Sequence, residues 1–280
     1  MKIPKSIESA ANKVSTYAAP ARLLLFLLLL ATLWLPIAAP IFLIFGDRSS
    51  TYLVVFLYCL FIWLIGVWGR NVVKTNKPYT HYGLVFNTNS GQSCLIGIGL
   101  GAAILFSLMQ VQVGLGWQNW QVDVDWQGAI LAGFLTGLGV GFAEELLFRG
   151  WFLTELNQDY GKERSLLICS ILYAVLHFLK PLEFILASWV QFPGLVLLGI
   201  CLVLARRLCR GSLGLAIGLH SGLVWGYYIV NTTHWLKPTQ TVPEWVTGVN
   251  GNPLAGILGL VFLTVLATGL KFSSVKFSRS

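Results

Sequence analysis

Residues 128–152 read GAILAGFLTGLGVGFAEELLFRGWF. The run is uncharged through Ala143 and its length matches the roughly 20 apolar residues that cross the hydrocarbon layer as a helix. Inside it stand two adjacent carboxylates, Glu144 and Glu145, with Arg149 one helical turn beyond. A charged side chain near the bilayer centre costs roughly 2.5–3.5 kcal/mol on insertion scales, so such groups face a protein interior or an aqueous cavity. The stretch predicts a membrane-spanning helix that carries an internal site.

The rest of the chain extends that reading. Of its 280 residues 56% are hydrophobic and 11% charged, against about 25% charged in soluble domains. The apolar runs predict an all-α fold, a polytopic membrane helix bundle forming one domain over residues 1–280. About eight transmembrane helices are expected, near 22–45, 51–69, 93–113, 128–153, 165–180, 182–204, 212–231 and 253–270. The first run is too long for a signal peptide, and Pro36 and Pro40 are expected to kink it. The five cysteines show no CxxC pairing pattern and are expected to be free.

The net charge of +8 is dispersed between apolar runs rather than gathered on a polar domain, which argues against nucleic acid as a partner. Lys2, Lys5, Lys13, Arg22, Arg70, Lys74, Lys77, Lys162, Arg164, Arg206, Arg207, Arg210, Lys271, Lys276 and Arg279 fall on one side of an eight-span layout, and only Arg48, Lys180 and Lys237 on the other. The excess of basic residues in cytoplasmic loops then places both termini in the cytoplasm. The third loop, with Trp117, Trp120, Trp126, Asp123 and Asp125, reads as an external interfacial belt, and the loop 232–252 as a cap on the outer face. Membrane lipids are the expected surroundings, in a bacterial plasma membrane or an equivalent internal membrane.

Glu145 and Arg149 are four residues apart and share a helical face, whereas Glu144 lies about 100° around the helix. One glutamate is thus expected to be neutralised by arginine and the other left free to exchange a proton. If the helices turn near Tyr160-Gly161, Glu144 and His177 each lie about 16 residues from the turn, roughly 24 Å along antiparallel helices. They are expected to meet at one depth. His220, about nine residues or roughly 13 Å beyond Gly211, joins them from the seventh span. A lone intramembrane histidine is commonly a hydrogen-bonded core residue and a Glu–Arg pair an interhelical tie. Two glutamates, an arginine and two histidines on three spans exceed what packing requires. His81 and His234 sit in loops without partners, and Glu183 is expected at the interface.

These residues carry a resemblance. Glu144-Glu145-Leu146-Leu147-Phe148-Arg149 resembles the EExxxR motif of the CPBP family of intramembrane proteases, which comprises type II CAAX-prenyl endopeptidases and bacteriocin-processing enzymes. Tyr173-Ala174-Val175-Leu176-His177 resembles its FxxxH motif, and His220 the first residue of its HxxxN or HxxxD motif. The resemblance covers residues 128–231 as a catalytic core, preceded by three spans and followed by one. It implies hydrolysis of a peptide bond in a membrane-tethered protein or peptide, for some members a CAAX-type prenylated one. Glu144 would be the general base, His177 its partner in polarising water and His220 a donor to the oxyanion, with Glu145 and Arg149 bracing them. Val224 stands where the family motif has asparagine or aspartate. That departure lowers activity, moves the second donor's duty to Ser221 or Tyr227, or marks a non-catalytic peptide-binding or self-protection protein.

The water mechanism needs no cofactor, yet Glu144, His177 and His220 would also make a three-ligand zinc site with an open position. A proton-coupled transporter uses similar groups as relays. Against it, the intramembrane charges gather in one half of the chain with no matching inverted repeat in the first four spans.

Overall fold

A computed structural model describes residues 5–122 and 124–278. Lys2, Asp123 and Arg279 lie outside the described residues, as do the side chains of Lys5 and Lys276. The helices in chain order are α1 (Lys5–Ser15), α2 (Ala19–Phe45), α3 (Ser50–Asn71), the single turn α4 (Pro78–His81), α5 (Thr88–Gly114), α6 (Ala129–Glu144), α7 (Leu153–Leu176), the short α8 (Leu182–Ser188), α9 (Phe192–Leu208), α10 (Gly214–Thr233), the single turn α11 (Glu244–Thr247) and α12 (Ile257–Ser278). Glu145–Phe152 joins α6 to α7 as π-helical turns. Two three-residue strands, β1 (Gln118–Trp120) and β2 (Leu236–Pro238), pair antiparallel with Asn119 opposite Lys237.

Five stretches are long and apolar enough to cross a membrane: Ala19–Asn71, Thr88–Gly114, Ala129–Leu176, Trp189–Leu208 and Ile257–Ser274. The first and third each contain a hairpin. In the first, Trp34 Nε1 donates to the Leu53 carbonyl and Phe26 packs edge-on to Phe61, so α2 and α3 run antiparallel about Gly46–Ser49. In the third the chain reverses at Gly161, whose φ of 71° and ψ of 173° fall in a region essentially confined to glycine. Phe148 then meets Tyr173 edge-on, with ring centroids 5.1 Å apart. The chain is a multi-pass helical membrane protein, the architecture that satisfies every backbone polar group within lipid.

The expected sixth span, 182–204, is displaced. Its helix α9 begins at Phe192, with Pro193 in the first turn where a missing N–H costs nothing, and runs on to Leu208. Residues 182–191 instead form α8 and a short 3₁₀ turn, with Leu182, Phe184, Leu186 and Trp189 exposed. Arg206 and Arg207, expected in a loop, therefore lie in the last turn of α9. α2 continues through Pro36 and Pro40 as one helix, and the five cysteines are free.

Glycine makes α10 the hub of the bundle. Gly214, Gly218, Gly222 and Gly226 recur every fourth residue, and the first three press on the backbone of α5 at Ser90, Cys94 and Ile98. The matched order shows that α5 and α10 run parallel. On α5 a Cβ at Gly97 would lie 2.6 Å from the Leu215 carbonyl oxygen, so neither helix has room for a side chain there. Gly137 and Gly141 of α6 close on α10 near Ser221, this time antiparallel. Small residues let helices approach closely where lipid offers no hydrophobic drive for association.

The bundle has two distinct ends. At one, the Gly83 carbonyl accepts from Leu213 N, Ser90 bonds Ser212, Arg207 pairs with Glu163, and Arg22 pairs with Glu155 and Asp159. At the other lie the β1–β2 pair, the Gln112 amide on the Thr247 carbonyl and the Gln191 amide on the Val249 carbonyl. The loop 232–252 thus covers the end expected to be external.

Candidate active site

The site is built where α6 passes into the π turns. In those turns the backbone bonds run i→i+5, as from Leu153 N to the Phe148 carbonyl, and the ladder is locally broken. Such turns are rare in helices and concentrate at functional sites. Side chains also bond carbonyls of these turns: Arg206 Nη1 donates to the Arg149 carbonyl, and Cys169 Sγ adds a second bond to that of Phe148 at 3.4 Å. Arg206 also donates to Thr154 Oγ1 and the Gly211 carbonyl, so its guanidinium locks the π turns to the end of α9.

Glu145 and Arg149 are fully buried, and Arg149 Nη1 meets Glu145 Oε1 at 2.9 Å. Arg149 Nη2 donates to the Gly199 carbonyl on α9 at 3.4 Å, and its guanidinium carbon lies 4.2 Å from the centre of the Tyr173 ring. The same Glu145 Oε1 accepts from His220 Nδ1 at 2.9 Å. A carboxylate can only accept, so this bond puts a proton on Nδ1 and turns Nε2 toward Glu144. The close approach of α6 and α10 at Gly141 brings His220 into this reach.

His177 is oriented by the same rule. Its Nδ1 donates to the Tyr173 carbonyl at 2.8 Å, one turn back on α7, which aims Nε2 across the hairpin. The two Nε2 atoms lie 4.0 Å (His177) and 3.9 Å (His220) from Glu144 Oε2. That oxygen hydrogen-bonds to no other described residue. All five expected residues are therefore within one constellation, divided into a sealed layer (Glu145, Arg149) and an accessible one (Glu144, His177), with His220 touching both.

A cavity of about 200 Å³ opens on this constellation, lined by His177, His220, Val224 and Tyr227 together with Gln191 and Asn252. Val224 and Tyr227 lie one and two turns beyond His220 on the same face of α10. Ser221 points elsewhere: its hydroxyl abuts Gly141 on α6. Asn252 spends its Oδ1 on the Leu254 backbone N–H at 3.1 Å, which leaves its amide N–H groups as donors.

A zinc ion bound at 2.0–2.1 Å would need ligand atoms roughly 3.3 Å apart. Oε2 and the two Nε2 atoms are wider than that, and no group of three or more His, Cys, Asp or Glu among the described residues is placed to hold a metal. Separations near 4 Å between polar atoms are those that one water bridges. As placed, the three side chains fit a shared water better than zinc.

Several participants escaped the sequence reading. Arg206 looked like one of three loop arginines because the apolar run ends at Ala205, and only the length of α9 reveals it. Asn252 and Gln191 lie far from the motifs in sequence and carry no local signal. Tyr58 of α3, whose hydroxyl donates to the Ala143 carbonyl at 2.6 Å just before Glu144, gave none either.

No curated protein and no solved structure matches the chain. Residues 126–226 match the family model described as "Type II CAAX prenyl endopeptidase Rce1-like". That interval contains Glu144, Glu145, Arg149, His177 and His220, and ends after Val224. The segment that builds this site is thus similar to the Rce1-like type II CAAX prenyl endopeptidases.

Proposed function

We propose that the protein is an intramembrane endopeptidase in which Glu144 and His177 activate a water for attack on the peptide bond of a membrane-tethered protein or peptide. One observation carries the reading: the unengaged Oε2 of Glu144 lies 3.9–4.0 Å from the Nε2 atoms of two imidazoles, His177 and His220, whose rings line a cavity. The water donates a hydrogen bond to His177 Nε2 and loses its other proton to Glu144 as its oxygen attacks the carbonyl carbon. Glu144 then passes that proton to the leaving amine. Positioned general-base catalysis contributes typically 10²–10⁴-fold.

The oxyanion needs donors facing the cavity. His220 serves here, its ring held at Nδ1 by Glu145 with Nε2 directed at the developing charge. Arg149 holds Glu145 in place for this task. The hydroxyl of Tyr227 and the amide of Asn252 line the same cavity and stand in for the carboxamide that Val224 lacks. A single oxyanion donor is worth about 10²–10³ in kcat. No step uses a metal, so turnover is expected to survive chelator treatment. Stoichiometric zinc whose removal abolishes turnover would overturn this part.

The test is cleavage of a library of membrane-tethered peptides by the purified protein and by Glu144→Gln and His177→Ala, with thermal unfolding as a check on folding. Both variants should fold and lose turnover. A parent that cuts nothing, or variants that cut as well as the parent, would favour the non-catalytic peptide-binding reading that Val224 suggests.

A further inference from the structure

We propose that the catalytic cavity admits substrate from the end of the bundle opposite the basic loops, so that the scissile bond belongs to a membrane-anchored polypeptide whose polar segment lies on the non-cytoplasmic face. The inference rests on the endopeptidase reading above and specifies its substrate class.

The cavity walls show which way it opens. Besides His177 and His220 it is lined by Phe178, Lys180, Ser188 and Gln191, from the segment after α7, and by Asn252 and Leu254, from the segment before α12. Both segments sit at the end that carries β1 and β2: Gln191 bonds the Val249 carbonyl, and Gly194 packs on the Leu254 carbonyl oxygen. Lys180 is exposed there. Toward the other end the way is closed. Leu146, Arg149, Trp151 and Leu213 are buried beneath the two glutamates, and the Arg206 guanidinium spans the layer below them.

A larger basin lies at the same end. A cavity of about 740 Å³ under the β1–β2 pair is lined by Trp117, Asn231, His234, Glu244, Gly251 and Pro253. Gly251 and Pro253 face this basin, while Asn252 and Leu254 face the catalytic cavity. One short segment therefore separates an outer vestibule from the site.

Charge fixes the sidedness. Arg70, Lys74, Lys77, Lys162, Arg164, Arg207 and Arg210 lie at the closed end, and Arg48, Lys180 and Lys237 at the open one. Lys/Arg-rich short loops stay in the cytoplasm. The mouth consequently faces away from it, and a cytoplasmic prenylated carboxyl terminus would arrive at the wrong end.

Two readouts test this in cells expressing the full chain. Lys180→Cys should react with a membrane-impermeant maleimide in intact cells, and Asn89→Cys, exposed at the basic end, only after permeabilisation, each against the parent's own cysteines. The reverse pattern would overturn the proposal without touching the chemistry. In the second readout, two reporters carry one peptide beside a single transmembrane anchor, on the outer or on the cytoplasmic side. The outer reporter alone should be cut, and that cut should be lost in Glu144→Gln. Cleavage of the cytoplasmic reporter alone would overturn the assigned side while leaving proteolysis intact. Cleavage of neither would count against the endopeptidase reading, with thiol labelling still deciding where the cavity opens.

Discussion

Glu144 and Glu145 are adjacent in sequence yet meet opposite surroundings. Glu145 spends one oxygen on both Arg149 and His220 inside a sealed layer, whereas Glu144 leaves one oxygen unengaged beside the two imidazoles that line the cavity. This inequality follows from helical geometry and was legible in the spacing of Glu145 and Arg149. The second role of Glu145, holding His220, was not, because it depends on the contact of α6 with α10 across 75 residues of chain. Val224 offers a test at this scale. It lines the cavity one turn beyond His220, so Val224→Asn brings a carboxamide to the same face. An added oxyanion donor should raise kcat, by up to about 10²-fold, with little change in KM. An unchanged or lowered kcat in a folded variant would show that the cavity already has its donors or is shaped for another purpose.

Among the elements, the hairpin through Gly161 was readable because two helical runs of equal reach flank Tyr160-Gly161 and polar residues surround the turn. The π turns were unreadable: Glu145–Phe152 carries no residue pattern that distinguishes i→i+5 from i→i+4 bonding, and their cover by Arg206 comes from another helix. The start of α9 was misplaced because the apolar run from Leu182 is continuous in hydropathy, and the break before Pro193 reflects helix initiation rather than polarity. Glycine spacing supplies a matched pair of substitutions. A Cβ at Gly218 would collide with the Cys94 carbonyl of α5, while one at Gly139 meets nothing within 4 Å. Gly139→Ala should stabilise the protein by roughly 0.5–1 kcal/mol through helix propensity. Gly218→Ala should lower stability despite that gain and reduce turnover, since α10 must shift and carry His220 away from Glu145. Thermal unfolding in detergent, read beside activity, separates the two; equal effects would mean that α5 and α10 are not held at contact distance.

Across the whole molecule, the segment 126–226 does not stand alone: α2 and α3 reach it through a buried polar cluster. Arg22 Nε meets Glu155 Oε2 at 3.0 Å, and Arg22 Nη2 donates to the Glu155 carbonyl. Trp68 Nε1 and the Tyr82 hydroxyl both donate to Glu155 Oε1. Phe26, Phe61 and Trp151 pack beside this cluster, and Tyr58 extends the contact to the backbone ahead of Glu144. Every polar atom of the carboxylate is engaged, which marks the cluster as a structural tie rather than a second site. Removing one member of a buried ion pair costs roughly 3–5 kcal/mol because the other charge is left without compensation. Arg22→Met should therefore lower the unfolding temperature of the whole chain, and Arg22→Met with Glu155→Leu should recover much of the loss, since an apolar pair of similar volume is commonly neutral in such positions. Activity should follow stability in both variants, as neither residue lines the cavity. Were Arg22→Met to unfold like the parent, the first hairpin would be held by apolar packing alone. Were it to lose turnover at unchanged stability, the cluster would be acting on the site through Tyr58, and the carbonyl of Ala143 would be the place to look for the coupling.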